Sequence, residues 1–258
     1  MVLWPFRREG NGRRGSRELE LQRARMVEVQ LRARGLIDES VLRAMGEVPR
    51  HLFVPPECRS AAHADQALPI GYGQTISQPY IVAFMTIALR LEPGQRVLEV
   101  GTGSGYQAAV LAACGTRVFS IERIPQLHQR ARSNLAAAGY LDRVHLRLGD
   151  GSRGWPERAP FDRMLLTAAA ESLPPALVSQ LAPDGVLVAP VGDPYLQTIC
   201  RYLRREGELV EETLEGARFV PLIRETPEEA PGRREMEEEA GRAGREEQRE
   251  GGEEGAGS

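Results

Sequence analysis

The chain has 258 residues, of which 41% are hydrophobic and 27% charged, the proportions of an ordinary globular protein with one or at most two domains. These proportions exclude collagen-like, wholly disordered and disulfide-scaffold proteins. All 33 basic residues are arginine, and with 36 acidic residues they leave a formal net charge of −3, so the chain has no overall attraction to polyanions. The absence of lysine also excludes Schiff-base and P-loop lysine chemistry.

The cysteine pattern favours a reducing compartment, and the hydropathy pattern favours a protein without a membrane span. Cysteine occurs only at positions 58, 114 and 200, with no C-x-x-C pair, which argues against a disulfide framework or a zinc site. No run approaches the roughly 18 apolar residues of a membrane span. We therefore expect a soluble, cytoplasmic protein with no membrane partner.

The two ends of the chain differ from its middle in charge. Residues 1–25 hold seven arginines and three glutamates, and predict a flexible basic arm that leads into a helix. Residues 224–258 hold six arginines and twelve glutamates with almost no large apolar residue, and predict a disordered acidic tail. One domain is therefore expected over residues 26–223.

The first part of this domain has the pattern of a helical layer. Apolar residues recur at helical spacing over 27–31 and 41–48, and Asp38 is positioned to cap the second helix. A loop rich in proline and glycine follows, and residues 77–79, Ser-Gln-Pro, then open another amphipathic helix. Taken alone, this pattern predicts that Ser77 is a helix cap.

From residue 96 onward, strands and helices alternate. The predicted strands span residues 96–100, 117–121, 144–148, 161–166 and 186–191, and the predicted helices span 106–113, 125–138 and 174–181. Strands separated by single helices imply right-handed crossovers, so the predicted fold class is α/β, with a doubly wound, mostly parallel, Rossmann-like sheet and an N-terminal helical layer. Late strands are predicted over residues 196–203, 209–214 and 218–223, the first two turning at Glu206-Gly207.

The strongest local motif is a glycine-rich turn after the first of these strands. Residues 97–106 are VLEVGTGSGY, a strand that ends in G-x-G-x-G and opens a helix. Open parallel sheets bind ligands at the carboxyl ends of their strands, where glycine lets a ligand approach the backbone. Glu122, at the end of the next strand, lies where a carboxylate can accept hydrogen bonds from ribose hydroxyls.

The glycine spacing separates two classes of cofactor. A dinucleotide fingerprint requires its third glycine at the position of Tyr106, whereas here it comes one residue early, at Gly105. This compact loop suits a nucleoside, and it resembles the first motif of the class I S-adenosyl-L-methionine (AdoMet) methyltransferases. Gly149-Asp150-Gly151 ends the third strand at the same edge, where the resemblance implies that Asp150 faces the adenine amino group.

Five segments together resemble one methyltransferase family over residues 26–223. They are residues 48–54 (VPRHLFV), 73–79 (GQTISQP), 98–109 (LEVGTGSGYQAA), 149–151 (GDG) and 218–222 (RFVPL). In this order they are similar to the protein-L-isoaspartate O-methyltransferases. One departure is Gln-Pro-Tyr at residues 78–80, where many members have Ala-Pro-His, so no cofactor contact is assigned to Tyr80.

The resemblance implies roles for particular residues. Ser77 corresponds to the active-site serine of the family, and the implied substrate contacts are Ser77, Gln78, Phe219 and Val220. The implied cofactor contacts lie at the carboxyl edge of the sheet or in the loop before it: Thr75, Ile76, Ser77, Glu99, Gly101, Thr102, Gly103, Ser104, Gly105, Glu122, Arg123, Gly149, Asp150, Gly151 and Thr167.

The implied reaction is methylation of the α-carboxylate of L-isoaspartyl residues in damaged proteins and peptides, which leads through a succinimide back to aspartate. That carboxylate is already ionised at neutral pH and the leaving group is a neutral thioether, so the reaction needs neither a general base nor a general acid. A site of glycines, hydroxyls and carboxylates suits this chemistry. The four histidines lack metal-ligand spacing, so no metal is expected.

Two other functions stay open from the residues alone. One is an AdoMet-dependent methyltransferase of a small molecule or RNA, although a nearly neutral domain with few aromatic residues does not favour nucleic acid. The other is a non-catalytic AdoMet-binding module, which the intact glycine loop, Glu122 and Asp150 disfavour. We therefore expect isoaspartyl-containing peptides and proteins as partners, no nucleic acid, and a monomer.

Overall fold

The computed structural model describes residues 10–193 and 196–223, with side chains described from residue 17 onward. The described residues up to Leu222 belong to one compact unit of the chain. The acidic tail predicted over residues 224–258 lies outside the described residues, as do the first nine residues of the predicted basic arm.

The described chain begins with a helical layer. Its helices are α1 (Gly10–Arg25), a π-helical turn (Met26–Leu31) and α2 (Glu39–Glu47). The predicted cap is confirmed, because the Asp38 carboxylate accepts hydrogen bonds from the backbone N–H groups of Ser40 and Val41. Residues 10–25 of the predicted basic arm form α1, so the helix into which the arm leads begins at Gly10. Arg23 fixes the end of that helix to α2, since its Nε donates to the Gly46 carbonyl at 2.6 Å.

A small hairpin occupies the segment that the sequence predicts as a loop. Strands β1 (Leu68–Gly71) and β2 (Gln74–Ile76) pair antiparallel and form a sheet of their own. Tyr72 and Gly73 turn the chain with φ of 56° and 68°, the left-handed backbone of a tight hairpin. Strands of four and three residues are too short to show an alternating pattern, which is why the sequence did not predict them. Helix α3 (Pro79–Ala88) follows.

The remaining elements build one seven-stranded sheet. The strands are β3 (Arg96–Val100), β4 (Arg117–Glu122), β5 (Val144–Leu148), β6 (Phe161–Leu166), β7 (Leu181–Gly192), β8 (Gln197–Arg205) and β9 (Glu208–Ala217), and the helices are α4 (Tyr106–Ala113), α5 (Pro125–Ala138) and α6 (Pro175–Gln180). The strand order is β5-β4-β3-β6-β7-β8-β9, with β5 to β7 parallel and β8 and β9 antiparallel. The predicted α/β, mostly parallel fold class is confirmed.

Both faces of the central strands of the sheet are buried under apolar layers. One core joins the N-terminal helices, α3 and α4 to the sheet, and Leu31 and Met45 are fully buried in it. The other core includes Phe119, whose ring packs edge to face on Trp155 and Phe161. A sheet covered in this way holds its strand ends in fixed positions, and those ends carry the candidate site.

Several predicted boundaries in the second half differ from the structure. Strand β7 begins at Leu181, five residues before the prediction, and α6 is correspondingly shorter. Residues 218–223 are not a regular strand, and Pro221 makes only an isolated bridge with Ala169. The segment is held to the sheet at one residue, Ala169. The Ala169 N–H donates to the Val220 carbonyl, and the Leu222 N–H donates to the Ala169 carbonyl. The predicted turn at Glu206-Gly207 is confirmed, with φ of 52° and 89°.

Candidate functional site

The sheet topology brings the sequence-predicted residues to one edge. After the central strand β3 the chain continues to β4 and β5 on one side, and it then returns to β6 on the other side. Such a reversal of strand order opens a crevice at the carboxyl ends of the strands, and open α/β sheets bind ligands there. The predicted cofactor residues from position 99 onward lie on β3 or β4, or directly follow one of the strands β3 to β6.

The glycine loop has a backbone conformation in which residues other than glycine would be strained. Gly101, Gly103 and Gly105 have φ of 99°, 54° and 89°, and Gly105 is the N-cap of α4. The loop is held to β4, because the N–H groups of Gly101 and Thr102 donate to the Ile121 carbonyl at 2.9 and 3.2 Å. The loop is therefore fixed before any ligand binds.

Packing also restricts two of the predicted glycines. A β-carbon at Gly101 would overlap the Thr167 hydroxyl, which donates to the Gly101 carbonyl at 2.6 Å. A β-carbon at Gly151 would overlap the Val100 side chain. These positions therefore require glycine for contacts within the protein, in addition to any ligand.

Glu122 lies against the glycine loop. Its Oε2 accepts from the Gly103 N–H at 2.7 Å and its Oε1 from the Ile124 N–H at 2.9 Å. Each carboxylate oxygen has a second lone pair, so these bonds leave capacity to accept from two adjacent ribose hydroxyls. The Glu122 carbonyl also accepts from Gly149 N–H at 2.9 Å, which fixes the end of β5 beside it. Arg123, the next residue and also a predicted cofactor contact, is exposed.

Glu99 differs from the other predicted cofactor residues. Its side chain is 0% exposed, and the Ser120 hydroxyl donates to it. The hydroxyl oxygens of Ser120 and Thr102 are 2.5 Å apart, so Glu99 supports the glycine loop from beneath. Burial raises the pKa of Glu99 to about 8. Its role as a direct cofactor contact stays a prediction, and within the protein the carboxyl lies beneath the loop.

Asp150 forms a turn at the end of β5. Its Oδ1 accepts from the Ser152 N–H at 2.8 Å, and its Oδ2 is 3.7 Å from Arg153 Nε. The residue is 9% exposed, and its Oδ1 takes part in this turn. Thr167 contacts the glycine loop at Gly101, and Gly151, the neighbour of Asp150, lies against Val100 just before that loop.

Ser77 lies between the hairpin and α3. It follows Thr75 and Ile76 of β2 and is half-buried. Gln78 is the N-cap residue of α3, which no side chain caps. The interpretation of Ser77 as a helix cap is therefore wrong, and its hydroxyl is not used by the helix.

The segment that contains Phe219 and Val220 passes beside the end of β6. Phe219 N–H donates to Gln197 Oε1 at 2.8 Å, and the Val220 carbonyl accepts from Ala169 N–H at 2.8 Å. Ala169 comes two residues after Thr167. The segment therefore reaches the edge of the sheet that carries the glycine loop.

Tyr80, where the sequence departs from the family pattern, contacts other parts of the domain. Its hydroxyl donates to Glu215 Oε2 of β9 at 3.2 Å, and the guanidinium carbon of Arg34 lies 3.6 Å from its ring centroid. Its ring also stacks on Phe84. These contacts connect the start of α3 to β9 and to the N-terminal layer.

Two arginines near the site were not identified from the sequence. Arg50 is fully buried, and its Nε and Nη2 donate to the carbonyls of Ala62 and Ser77 at 2.8 and 2.7 Å. Burial lowers the pKa of Arg50. Arg130 of α5 donates to the Ile70 carbonyl at 2.6 Å. A charged residue inside the apolar segment 48–54 was a usable signal for Arg50, but nothing in the sequence pairs Arg130 with β1.

Within residues 10–193 and 196–223, no group of three His, Cys, Asp or Glu side chains is arranged so that it could hold a metal ion. Burial lowers the pKa of His63 to about 4, so this histidine is neutral at pH 7. In the same part of the chain no helix is long and apolar enough to cross a membrane.

The fold and the site together define the class of AdoMet-dependent methyltransferases, with a glycine turn after the central strand of a doubly wound sheet and a carboxylate after the next strand. The family model described as protein-L-isoaspartate(D-aspartate) O-methyltransferase matches residues 22–227. The chain belongs to this family. The predicted resemblance is thereby confirmed, and so, at the level of the family, is the prediction of an AdoMet-dependent enzyme of protein repair.

Individual relatives agree with the family match. The protein-L-isoaspartate O-methyltransferase of Opitutus terrae is 53% identical over 207 residues, which cover 80% of this chain and 88% of the relative. That of Methylorubrum populi is 57% identical over 203 residues, 78% and 95% of the two chains. A Plasmodium falciparum protein-L-isoaspartate O-methyltransferase, solved with S-adenosyl-L-homocysteine, has a TM-score of 0.69 and 25% identity over 79% of this chain and 99% of its own.

Proposed function

We propose that this chain transfers the methyl group of AdoMet to the α-carboxylate of L-isoaspartyl residues in damaged peptides and proteins. The observation that carries the proposal is the position of Ser77, a serine with a hydroxyl that α3 does not use, directly after the hairpin that packs on the glycine loop. The family match supplies the class of substrate.

The residues at the carboxyl edge fit an AdoMet molecule. The strained backbone of Gly101 to Gly105 offers close approach, Glu122 offers acceptors for ribose hydroxyls, and Asp150 offers a carboxylate for the adenine amino group. Thr75 and Ile76, in strand β2 of the hairpin directly before Ser77, are the other proposed cofactor contacts. When bound, AdoMet supplies an electrophilic methyl group on a sulfonium that leaves as a neutral thioether.

The role proposed for Ser77 is to orient the substrate. The α-carboxylate has an ordinary pKa near ~4 and is ionised at pH 7, so no side chain has to remove a proton. The Ser77 hydroxyl donates a hydrogen bond to one carboxylate oxygen, and the other oxygen is then directed at the methyl group. Exclusion of water strengthens this hydrogen bond, and the hairpin before Ser77 provides part of that cover.

The methyl ester then makes repair possible. The ester is a better leaving group than a carboxylate, so the neighbouring amide nitrogen displaces methanol and closes a succinimide ring. Hydrolysis of the ring gives aspartate in part. The enzyme needs no residue for these later steps.

Gln78, Phe219 and Val220 are proposed to contact the peptide that carries the isoaspartyl residue. Their support is the position of the 219–222 segment beside Ala169, at the edge that holds the cofactor residues. We also propose that the enzyme is a cytoplasmic monomer with no metal or nucleic-acid partner. The free thiols of Cys58, Cys114 and Cys200 are consistent with a reducing compartment.

The test is transfer of labelled methyl from AdoMet to a short isoaspartyl peptide, beside the same peptide with normal aspartate. Label on the isoaspartyl peptide alone, released as methanol at mild alkaline pH, is expected. Ser77→Ala should lower kcat/KM by about 10- to 100-fold, the effect of losing one hydrogen bond to a charged group, whereas the exposed Ser179→Ala should have no effect. Absence of label on both peptides, with AdoMet binding intact, would overturn the proposed substrate.

A further inference from the structure

We propose that Arg130 is a positioning residue that holds residues 70–77, here called the strap, over the cofactor loop. The inference deepens the proposed function, and it rests on that function for the role of Ser77 at the end of the strap. The strap includes the end of β1, the turn at Tyr72 and all of β2.

The strap has little internal support. Its two strands pair only with each other, and a two-stranded hairpin is marginally stable by itself. Tyr72 at its tip is 50% exposed. The strap nevertheless covers the glycine loop, because Ile70 Cδ1 lies 3.5 Å from the position of a β-carbon built on Gly103. Contacts from outside the hairpin must therefore keep it in place.

Arg130 supplies such contacts at one end. Its Nη1 donates to the Ile70 carbonyl at 2.6 Å and lies 3.7 Å from a β-carbon built on Gly71. Its guanidinium carbon is 5.9 Å from the centroid of the Tyr72 ring. One guanidinium thus meets three consecutive residues of the strap, and a charged donor makes a stronger hydrogen bond than a neutral one.

The helix that carries Arg130 also holds the glycine loop. One turn further along α5, Asn134 Nδ2 donates to the Ser104 carbonyl at 2.9 Å. A β-carbon on Gly105 would lie 3.4 Å from Ala131. Residues 130 and 134 share one face of the helix, so the same face of α5 fixes the strap and the loop beneath it. This shared support sets the spacing between strap and loop.

Buried Arg50 anchors the other end of the strap through the Ser77 carbonyl at 2.7 Å. Arg50 is part of the core, so its substitution would disturb folding. Arg130 is exposed, and its loss should leave the domain folded while the strap opens more often. A more open strap lowers the affinity for AdoMet, because only the closed strap covers the bound cofactor.

The experiment compares Arg130→Met, Arg130→Lys and the wild type in the full chain. Titration calorimetry with AdoMet should give a Kd about fivefold higher for Arg130→Met and an intermediate value for Arg130→Lys, which keeps one charged donor. Hydrogen exchange of the strap amides should become faster in Arg130→Met, with exchange in β3 and α4 unchanged. Arg132→Met is the matched control, since Arg132 is exposed on the same helix and its loss changes the charge equally.

The inference would be overturned by an unchanged Kd and unchanged strap exchange in Arg130→Met, or by equal effects in Arg132→Met. Both readouts use AdoMet alone and no peptide. If isoaspartyl peptides were not methylated while Arg130→Met still opened the strap, the proposed substrate would fail and the role of Arg130 would stand.

Discussion

Glu99→Gln should change how the stability of this enzyme depends on pH. The Glu99 carboxyl is fully buried, Ser120 donates to one of its oxygens, and its other oxygen, Oε1, is buried without a partner. Glutamine has the same shape and keeps an acceptor for Ser120. The substitution therefore removes the titration of this group with little change in packing.

The direction follows from the proton balance. Burial raises the pKa of Glu99 from 4.5 to about 8, so between these values the folded state holds one proton more than the unfolded state. The contribution of Glu99 to the unfolding free energy of the wild type should then fall by about 1.4 kcal/mol for each pH unit gained in this window. From pH 4.5 to pH 7 this amounts to about 3 kcal/mol. Glu99→Gln has no such loss, so its stability relative to the wild type should increase with pH.

Urea unfolding of both proteins from pH 5 to pH 8 measures this difference. Every other titrating group cancels when the wild type is subtracted from the variant, so the slope belongs to Glu99. The exposed Ser179→Ala, which removes no titrating group, serves as the control and should give a difference that does not vary with pH. A flat difference for Glu99→Gln as well would refute the reasoning, because it would mean that the carboxyl is ionised in the folded protein at neutral pH.

Other substitutions separate cofactor binding from stability. Gly101→Ala should lower the unfolding free energy by about 1 to 3 kcal/mol and abolish calorimetric AdoMet binding, whereas Gly94→Ala, which has φ of 85° but open space around it, should cost stability alone. Glu122→Ala should weaken AdoMet binding by at least about tenfold, as two backbone donors and the ribose hydroxyls lose their acceptor, and Glu122→Gln should weaken it less. Asp38→Ala should lower the unfolding free energy by about 1 kcal/mol through loss of the α2 cap, with kcat/KM for an isoaspartyl peptide unchanged.

The sheet could be predicted from the sequence because local signals mark its elements. Strands 96–100, 144–148 and 161–166 have the same limits in the structure as in the prediction. Helix α5 also has its predicted limits, with Pro125 at its first turn and Gly139 in the left-handed region at its end. Proline restricts φ at the start of a helix and glycine permits the left-handed backbone at its end, so these boundaries need no tertiary information.

The hairpin and the 218–223 segment could not be predicted in this way. Strands β1 and β2 are short, and contacts from Arg130 and Arg50 support the strap they form from distant parts of the chain. Residues 218–223 have the apolar content of a strand, but Pro221 has no N–H for a ladder. The deciding contacts in both cases join residues far apart in sequence, which local patterns do not record.

The difference between local signals and long-range contacts also explains which site residues could be predicted. The positions of Gly101 and Glu122 follow from strand order alone, because carboxyl ends of parallel strands meet at one edge. Strand parity explains why Glu99 is buried: alternate residues of β3 face opposite layers, and Glu99 shares the face of buried Val97. Its carboxyl supports the loop through Ser120, a residue of the neighbouring strand. Candidate cofactor residues at strand ends can therefore be predicted from the sequence. Residues that hold the loop and the strap in place can be identified only from the folded structure, because their contacts join distant parts of the chain.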